Sequence, residues 1–479
     1  MSNHNEGPAL VAGVDSSTQS AKVEIRELES GRVVARAGAP HTQTTPPRSE
    51  QDPAVWWSAF EAAWAAVGAP EVEAISVAGQ QHGMVVLDEC FEVVRPAKLW
   101  NDTESAPDAG WLLGQLDGGA TAWASAVGSV PVAALTISKL SWLHRSEPES
   151  WARLAHVVLP HDWMTHRLCG AASAPTTDRG DASGTGYWSP ISGTYRWALL
   201  SIVDRDRDWR SVVPRVAAPR ETVGSWGSAR VAVGTGDNMA AALGIGLGSR
   251  QAVVSLGTSG TAYTVADQPT SDSSGGVAGF ADASGRYLPL VCTLNAGKVL
   301  DAIARVLGVD HPMFDELARG APLGAGGVVL LPYLDGERTP NLPAATGWLS
   351  GLRSDVTREQ LAQAAVEGVV CGMLEALDSL ALHAPIDSVV LTGGGARSRA
   401  VRETFAALCS LPVATAEADE AVATGAAVQA AAIADGVDHG EIISRWGLGR
   451  TIPVEITSSA AAGEIRARFV ALREAAYPA

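Results

Sequence analysis

Asp237 is a candidate general base. It stands beside Asn238 at the start of an alanine-rich segment, residues 235 to 246, whose composition predicts a helix. A carboxylate at this position can simply cap the helix. It can also accept the proton of a bound hydroxyl group. The segment lies at the junction of two predicted domains, where a cleft would form, and this position favours the role of a base.

Two turns carry the hydroxyl groups and glycines that suit an anion. The first, DSSTQS, holds Asp15, Ser17 and Thr18, and the second, SLGTSG, holds Gly257 and Thr258. Hydroxyls and exposed backbone N–H groups can bind phosphate oxygens without a cationic side chain, and a carboxylate can position Mg²⁺ through water. Two ordinary surface turns are the alternative. The same pattern in two similar sequence contexts favours anion binding.

Polar residues between positions 79 and 102 could bind a polyhydroxylated ligand. The segment GQQHG after a predicted strand and the segment KLWND together carry Gln80, Gln81, His82, Trp100, Asn101 and Asp102. Amides, an imidazole and a carboxylate supply partners for several hydroxyls, and an indole supplies an apolar face for carbon atoms. Each residue also has a structural alternative. A histidine after a strand is often simply hydrogen-bonded, and Trp100 is one of 15 tryptophans.

The two hydroxyl-rich turns each join a short apolar strand to a strand of alternating polarity. One copy begins at Val11 and the other at Gln251, so each predicts a β-hairpin. Strand and helix patterns alternate along the chain, which is typical of an α/β protein. One hairpin near the start of each half predicts two similar domains, residues 8–246 and 247–479. A cleft between these domains would bring the two hairpin tips together.

The second half contains clear helix signals and a third glycine-rich turn. Thr357 and Gln360 form a capping box before a long run of apolar residues at helical spacing. A strand at 388–392 is followed by three glycines and a helix ending near Cys409, and another helix is predicted from 421 to 435. Strand, glycines and helix in this order are typical of a nucleotide-binding turn.

The composition excludes several classes of function. The 479 residues include 52 Asp and Glu against 35 Lys and Arg, a formal net charge of -17, so no general basic surface attracts nucleic acid or an anionic membrane. The five cysteines lie far apart with no C-x-x-C pair, which argues against a thiolate zinc site. No secretion signal or run of about 18 apolar residues occurs. A cytoplasmic location is therefore expected.

Several segments resemble the FGGY carbohydrate kinases. The most specific is GWLSGLRSDVTREQLAQAAVE at 347–367, and YLDGERTP at 333–340 and LTGGGARS at 391–398 also resemble family motifs. TISKLSWL fits the N-terminal signature less well, since Ala134 and Ser146 depart from its flanking positions. The resemblance implies two ribonuclease-H-like domains of the actin and hexokinase type, with the active site in the cleft between them and transfer of phosphate from ATP to a sugar.

Within the family, GQQHG, LWND, HDW, TTDRGDASGTGYW and GTGDN are most similar to members that phosphorylate the 5-hydroxyl of D-xylulose. The resemblance implies that Asp237 is the catalytic base and that Asp15 organises Mg²⁺ and the phosphates. The residues it assigns to the sugar are Gln81, His82, Trp100, Asp102 and Asn238. The residues it assigns to ATP are Ser17, Thr18, Gly257, Thr258, Gly394, Gly395 and Ser398.

Two departures from the family pattern leave the choice of sugar open. Gln81 stands where methionine is common, and Glu104 stands where a basic residue is frequent. Gln81 could contact the ligand only through its backbone, and Glu104 could be solvated. The alternatives are therefore a kinase for another ketose, a polyol or a sugar acid, and a non-catalytic actin-like sensor. Asp15, Asp237 and both turns occur together, which a sensor would not require. Small molecules are the expected partners, and family analogy adds a homodimer.

Overall fold

The computed structural model describes residues 7–170, 174–417, 419–455 and 461–478. The chain forms two compact units that are discontinuous in sequence. The first comprises Met1–Gly246, Asp267–Leu288 and Ala418–Gly449, and the second comprises Leu247–Ala266, Pro289–Glu417 and Arg450–Ala479. The first segment of the first unit ends at Gly246, where the predicted N-terminal domain also ends. Two later segments, Asp267–Leu288 and Ala418–Gly449, belong to the first unit as well. The continuous domains 8–246 and 247–479 stay a prediction.

The main sheet of the first unit is built around the predicted hairpin. Its strands lie in the spatial order Thr222–Trp226, Ala229–Ala232, Ala74–Gly79, Leu10–Ser16, Ser20–Glu27 and Val33–Pro40, and Thr235–Gly236 also pairs with Ala74–Gly79. The hairpin strands are antiparallel, whereas Leu10–Ser16 and Ala74–Gly79 are parallel. The parallel arrangement brings the end of the first hairpin strand beside the end of Ala74–Gly79.

The second unit repeats this arrangement around the second hairpin. Its strands lie in the order Tyr287–Thr293, Gly260–Thr264, Gln251–Leu256, Ser388–Thr392, Val413–Ala416 and Thr451–Pro453. Gln251–Leu256 is antiparallel to its hairpin partner and parallel to Ser388–Thr392. The predicted α/β class and both hairpins are confirmed.

The other strands are short. In the first unit they are Glu50–Gln51, Val85–Leu87, Ala97–Lys98, His156–Val158, Thr176–Thr177, Trp188–Ser189, Thr194–Tyr195, Arg215–Val216 and Ala278–Ala281. In the second unit they are Val329–Leu331 and Trp348–Ser350.

The helices of the first unit are Pro53–Ala66, Ala106–Leu113, Gly119–Val127, Thr136–Ser146, Pro148–Arg153, Pro160–Leu168, Arg179–Ala182, Trp197–Val203, Trp209–Val212, Asp237–Ile245, Ala421–Asp435 and His439–Arg445. Those of the second unit are Gly297–Leu307, His311–Gly320, Arg358–Ala381, Arg399–Leu408 and Ala462–Ala476, with short 3₁₀ turns at Ala325–Gly327 and Gly394–Arg397. Among the described residues, no helix is long and apolar enough to cross a membrane.

The predicted helix ends are confirmed where a capping signal exists. Thr357 and Gln360 exchange the reciprocal hydrogen bonds of a capping box at the start of Arg358–Ala381. The helix Ala421–Asp435 ends at Gly436, whose φ of 72° is in the left-handed region that favours glycine. Local chemistry therefore sets these boundaries.

The two faces of the first sheet are covered by two different helices. One face packs Val14, Val23 and Val77 with Trp56 and Phe60 of the helix Pro53–Ala66. The other face is covered by the alanine-rich helix Ala421–Asp435. Small residues there let main chains approach closely, because a Cβ at Gly425 would lie 1.8 Å from the Ala240 carbonyl oxygen. This contact fixes the helix that begins at Asp237.

Candidate active site

Asp237 begins the helix Asp237–Ile245, directly after the short strand Thr235–Gly236. Its Oδ1 atom accepts hydrogen bonds from the backbone N–H of Asn238 at 2.8 Å and from Asn238 Nδ2 at 2.9 Å. Burial, which is the largest cause, and the negative charges of Asp15 and Asp181 together raise the pKa of Asp237 to about 7, against the lowering effect of these hydrogen bonds. A carboxyl group with this pKa can exchange a proton near neutral pH.

Gln81 and Asn238 form a hydrogen-bonded chain that ends at Asp237. Asn238 Nδ2 also donates to Gln81 Oε1 at 2.9 Å, so both amide hydrogens of Asn238 are used. A Cβ at Gly236 would lie 2.7 Å from Gln81 Cγ, which shows that the glycine makes room for this side chain. Gln81 Nε2 is buried and has no hydrogen-bond partner among the described residues. It presents a donor beside the candidate base.

Further unsatisfied polar atoms lie in the same segments. Both amide atoms of buried Gln80 and the Oδ1 atom of Asn101 lack hydrogen-bond partners in the part of the chain that the structure describes. Buried polar groups are normally paired, so such atoms mark a place where a polar ligand can bind. Gln80 and Asn101 belong to the polar segments that predict a site for a polyhydroxylated ligand, although the family resemblance assigns neither residue to the sugar.

His82 lies in a tightly packed position of the first unit. Its backbone has a φ of 64°, and its ring centroid lies 5.3 Å from that of Phe280. The backbone carbonyl of His82 accepts a hydrogen bond from Thr136 Oγ1 at 3.2 Å. A Cβ at Gly184 would lie 2.3 Å from the ring nitrogen Nδ1. Packing against a residue without a side chain therefore sets the position of the imidazole.

Trp100 joins the predicted sugar residues to the first hairpin. Its indole Nε1 donates to Thr18 Oγ1 at 3.1 Å, while the Ser17 hydroxyl donates to the Ser20 carbonyl at 3.0 Å inside the turn. The structure thus brings Trp100 and Thr18 together. The hydroxyl and the backbone N–H of Ser17 both donate to the Ser20 carbonyl, so the predicted phosphate contact of Ser17 stays a prediction.

The carboxyl group of Asp102 is used in hydrogen bonds within the protein. It is fully buried and accepts hydrogen bonds from the N–H groups of Ser49 and Glu104 and from Lys98 Nζ. Asp102 therefore orders the segment that follows Trp100, and its predicted contact with the sugar stays a prediction without a free oxygen to support it.

Glu104 is partly exposed and is paired with two cationic side chains. It binds Lys98 Nζ at 2.6 Å and Arg48, and the hydrogen bond from Lys98 holds the pKa of Glu104 below its usual range. Glu50, Asp102 and Glu104 are close enough together to share a metal ion, but Lys98 Nζ lies within 3.0 Å of all three carboxylates. This ammonium group supplies the cation that the cluster requires.

Asp15 lies one residue before the end of the first hairpin strand, Leu10–Ser16. It is buried, and this burial raises the pKa of Asp15 to about 7. Lys22 Nζ lies 4.0 Å from Asp15 Oδ2 and 2.6 Å from Glu420, while Asp15 Oδ1 has no hydrogen-bond partner among the residues that the structure describes. Lys22 was not assigned a role from the sequence. The signal was available, because Asp15 and Lys22 are register partners across the hairpin.

In the second unit, two of the predicted nucleotide turns are adjacent. Gly257 and Thr258 are exposed at the tip of the second hairpin, and their carbonyl groups accept the N–H groups that begin the helix Gly297–Leu307. The turn after Ser388–Thr392 packs on the same hairpin strand, since a Cβ at Gly395 would lie 2.9 Å from Leu256 Cβ. Gly394 is exposed beside it.

Ser398 is already used in helix capping. Its hydroxyl accepts from the Val401 N–H at 3.1 Å and donates to Asp315 of the helix His311–Gly320. The predicted contact of Ser398 with ATP therefore stays a prediction, and its hydroxyl has a structural role at the start of Arg399–Leu408.

Comparisons with known proteins give a consistent result. Models of the FGGY family of carbohydrate kinases match residues 10–252 with their N-terminal domain and residues 252–434 with their C-terminal domain. The chain is 48% identical over 455 residues to xylulose kinase of Streptomyces coelicolor, and 47% identical over 455 residues to that of Streptomyces rubiginosus. Each match covers 92% of this chain and 91% of the relative. The crystal structure of xylulose kinase from Bifidobacterium adolescentis superposes with a TM-score of 0.83 at 37% identity, covering 97% of this chain and 99% of that one.

Proposed function

Because the chain belongs to the FGGY family of carbohydrate kinases, we propose that it transfers a phosphoryl group from ATP to the 5-hydroxyl of D-xylulose. The products are D-xylulose 5-phosphate and ADP. The expected two-domain fold of the actin and hexokinase type is confirmed by this membership. The choice of D-xylulose is supported by the Streptomyces relatives. The observation that carries the chemistry is the Asp237 carboxyl, held by Asn238 beside an unsatisfied Gln81 amide.

Asp237 acts as the general base of the proposed reaction. Its carboxylate takes the proton of the sugar hydroxyl as that oxygen attacks the γ-phosphorus in line with the departing ADP. Because burial raises the pKa of Asp237 to about 7, the carboxylate is a stronger base than an exposed aspartate and is still largely ionised above neutral pH. Asn238 holds Oδ1, which leaves Oδ2 for the sugar.

The sugar is bound by amides and an aromatic face. Gln80, Gln81 and Asn101 supply buried polar atoms that lack other partners in the described chain, so hydroxyl groups of the ketose can pair with them. His82 and Trp100 complete the proposed site, the indole covering an apolar face of the sugar carbons. These groups orient the substrate, and orientation supplies a large part of the rate of phosphoryl transfer.

ATP is held by hydroxyl and backbone groups of the glycine-rich turns. We assign phosphate contacts to the turns at Ser17–Thr18 and Gly257–Thr258, and adenosine contacts to Gly394 and Gly395. Asp15 fits a divalent cation, because its buried Oδ1 is an acceptor without a partner among the described residues. Mg²⁺ bound there would neutralise charge on the phosphates. We also place the enzyme in the cytoplasm, where its substrate ATP is abundant.

A kinase for another sugar is the second candidate. The observation that favours it is Gln81, whose Nε2 donor would meet the ligand at a position where related kinases commonly carry methionine. A donor at this point would favour a ligand with an oxygen there, including a ketose of different configuration or a sugar acid. The reaction and the role of Asp237 would be unchanged.

A panel of sugars tests this proposal. The purified protein is incubated with Mg²⁺, ATP and one of D-xylulose, D-ribulose, L-ribulose, D-fructose, glycerol, xylitol or D-gluconate, and ADP release is measured. We expect D-xylulose to give the highest kcat/KM. Strong preference for another sugar would support the second candidate. ATP binding without ADP release on any sugar would contradict kinase activity.

A further inference from the structure

A buried ionic cluster lies beneath the strand that leads to Asp237. His161, on the helix Pro160–Leu168, and the carboxylates of Asp162, Asp178 and Asp181 form this His161 cluster, and none is more than 1% exposed. His161 Nδ1 lies 2.8 Å from Asp181 Oδ2. His161 Nε2 lies 3.1 Å from Asp162 Oδ1 and 3.7 Å from Asp178 Oδ1. The three acids surround one imidazole.

The acids around His161 favour a positive charge on its ring. Nδ1 is hydrogen-bonded to Asp181, and Nε2 lies 3.1 Å from Asp162 Oδ1 in a contact that is not aligned as a hydrogen bond. An imidazolium is attracted by carboxylates on both sides of the ring. Burial by itself would lower the pKa of His161, but the three acids outweigh this effect and raise the pKa to about 9. Tyr187 and Tyr195 lie near the same acids and stay neutral, because burial raises the pKa of both phenols.

One connection runs from this cluster to Asp237 through hydrogen bonds. Asp178 Oδ2 accepts from Thr235 Oγ1 at 2.7 Å, and Thr235 is buried two residues before Asp237. The same Asp178 carboxyl accepts from the N–H groups of Gly180 and Asp181, which begin the short helix Arg179–Ala182. Asp178 therefore ties the strand Thr235–Gly236 to a segment that also holds His161.

A second connection runs through direct packing. A Cβ at Gly79 would lie 2.8 Å from His161 Cβ, and a Cβ at Gly234 would lie 2.9 Å from His161 Cδ2. Gly79 is also the register partner of Gly236, the residue before Asp237. His161 thus packs against Gly79 at the end of Ala74–Gly79 and against Gly234, the residue before the strand Thr235–Gly236.

We propose that His161 is a positioning residue for the general base: a buried imidazolium that, through Asp178 and Thr235, fixes the backbone that carries Asp237. This proposal rests on the proposed function, because it concerns the base of that reaction. His161 contacts no reacting atom. Its effect is on turnover, since the binding of sugar and ATP depends on other residues.

A matched pair of variants at Thr235 tests the connection. Thr235→Val keeps the shape of the side chain and removes the donor to Asp178, whereas Thr235→Ser keeps the hydroxyl. We expect Thr235→Val to lower kcat about tenfold, since small displacements of a reacting group have large effects, with KM for sugar and ATP changed less than about twofold. Thr235→Ser should stay close to the wild-type kcat. Equal kcat values for the two variants would overturn the connection.

The charge on His161 is tested without reference to activity. Nitrogen-15 NMR of histidine-labelled wild-type protein, with His161 assigned from the signal that is lost in His161→Lys, should show both ring nitrogens protonated at pH 7.5. A neutral ring would contradict the proposal. His161→Gln removes the charge and should lower kcat more than His161→Lys. If either variant fails to fold, the Thr235 pair still decides the positioning role. The charge is then read from the wild-type spectrum alone: a histidine ring with both nitrogens protonated at pH 7.5 supports it, and the absence of such a ring contradicts it.

Failure of this inference can be separated from failure of the proposed function. ADP release by the wild-type protein tests the function alone. If the wild type is active and Thr235→Val matches Thr235→Ser, only the positioning role is wrong. If the wild type releases no ADP on any sugar, the proposed function is wrong and the positioning of a base falls with it.

Discussion

At the scale of single residues, the role of Asp237 leads to the most direct prediction. Asp237→Asn keeps the hydrogen bonds near Asn238 but removes the proton acceptor, so we expect kcat to fall by about 10² to 10⁴ while sugar binding is retained. Turnover and sugar binding by calorimetry are the measurements. Asp267→Asn is the control, since the side chain of Asp267 is 77% exposed. Turnover near the wild-type value would exclude Asp237 as the base.

The same carboxyl predicts a pH dependence. Because burial raises the pKa of Asp237 to about 7, the base is protonated and inactive below that pH and ionised above it. We expect kcat at saturating substrates to rise from pH 6 to pH 8 and then level off. A flat profile over this range would show that another group, or a step other than proton transfer, limits turnover.

Ionisation of Asp237 should also affect stability. Its pKa is raised on folding from an ordinary value of 3.8 to about 7, so the folded state is penalised as the pH rises through this interval. Asp237→Asn should therefore raise Tm at pH 8, and the gain should become smaller as the pH is lowered toward 4. Thermal unfolding of both proteins at several pH values measures this. An unchanged or lower Tm at pH 8 would contradict the pKa shift.

At the scale of elements, the close contact between Asp237–Ile245 and Ala421–Asp435 can be tested with glycines. Gly425→Ala would place a Cβ 1.8 Å from a backbone oxygen of Ala240, so we expect a loss of about 1–3 kcal/mol in the free energy of unfolding. Gly372→Ala in the helix Arg358–Ala381 is the matched control, because nothing lies within 4 Å of its Cβ. It should gain about 0.5–1 kcal/mol from helix propensity. Equal effects in denaturant titrations would contradict the close packing.

Elements with strong local signals were predictable from the sequence, and arrangements made by distant residues were not. The two hairpins, the capping box at Thr357 and the helix end at Gly436 each depend on neighbouring residues. By contrast, the His161 cluster combines residues from separate segments, and nothing in the local sequence indicates that they meet. The environment of Asp102 was missed for the same reason, since its partner Ser49 lies far away in sequence.

The residues of the candidate site differ in the same way: some could be placed from local sequence, and others meet only in the fold. Asp237 and Asn238 were assigned from one segment and do lie together, while Gln81 reaches them only because the parallel pairing of Thr235–Gly236 with Ala74–Gly79 brings the two segments side by side. The resemblance to a family supplied this juxtaposition in advance. Residue chemistry alone identified the groups, and the fold determines which of them meet.

At the scale of the whole molecule, the acidic charge predicts how ionic strength affects each substrate. A protein with a net charge of -17 repels ATP at long range, and salt screens this repulsion within a Debye length of about 8 Å at 0.15 M. The proposed ATP contacts are backbone N–H groups, hydroxyls and a bound divalent cation, all of which act at short range. We therefore expect KM for ATP, at fixed free Mg²⁺, to fall or stay constant between 20 and 150 mM KCl.

D-Xylulose serves as the internal control for this experiment because it is uncharged, so its KM should not respond to the same change in salt. A several-fold rise in KM for ATP alone would contradict the prediction, since attraction by a cluster of cationic side chains weakens with salt. Lys22, beside Asp15, would then be the first residue to test, with Lys22→Met expected to abolish the salt dependence. An enzyme that binds a strong anion despite its own negative charge must rely on local donors, and the sign of this salt effect distinguishes them from a cationic surface.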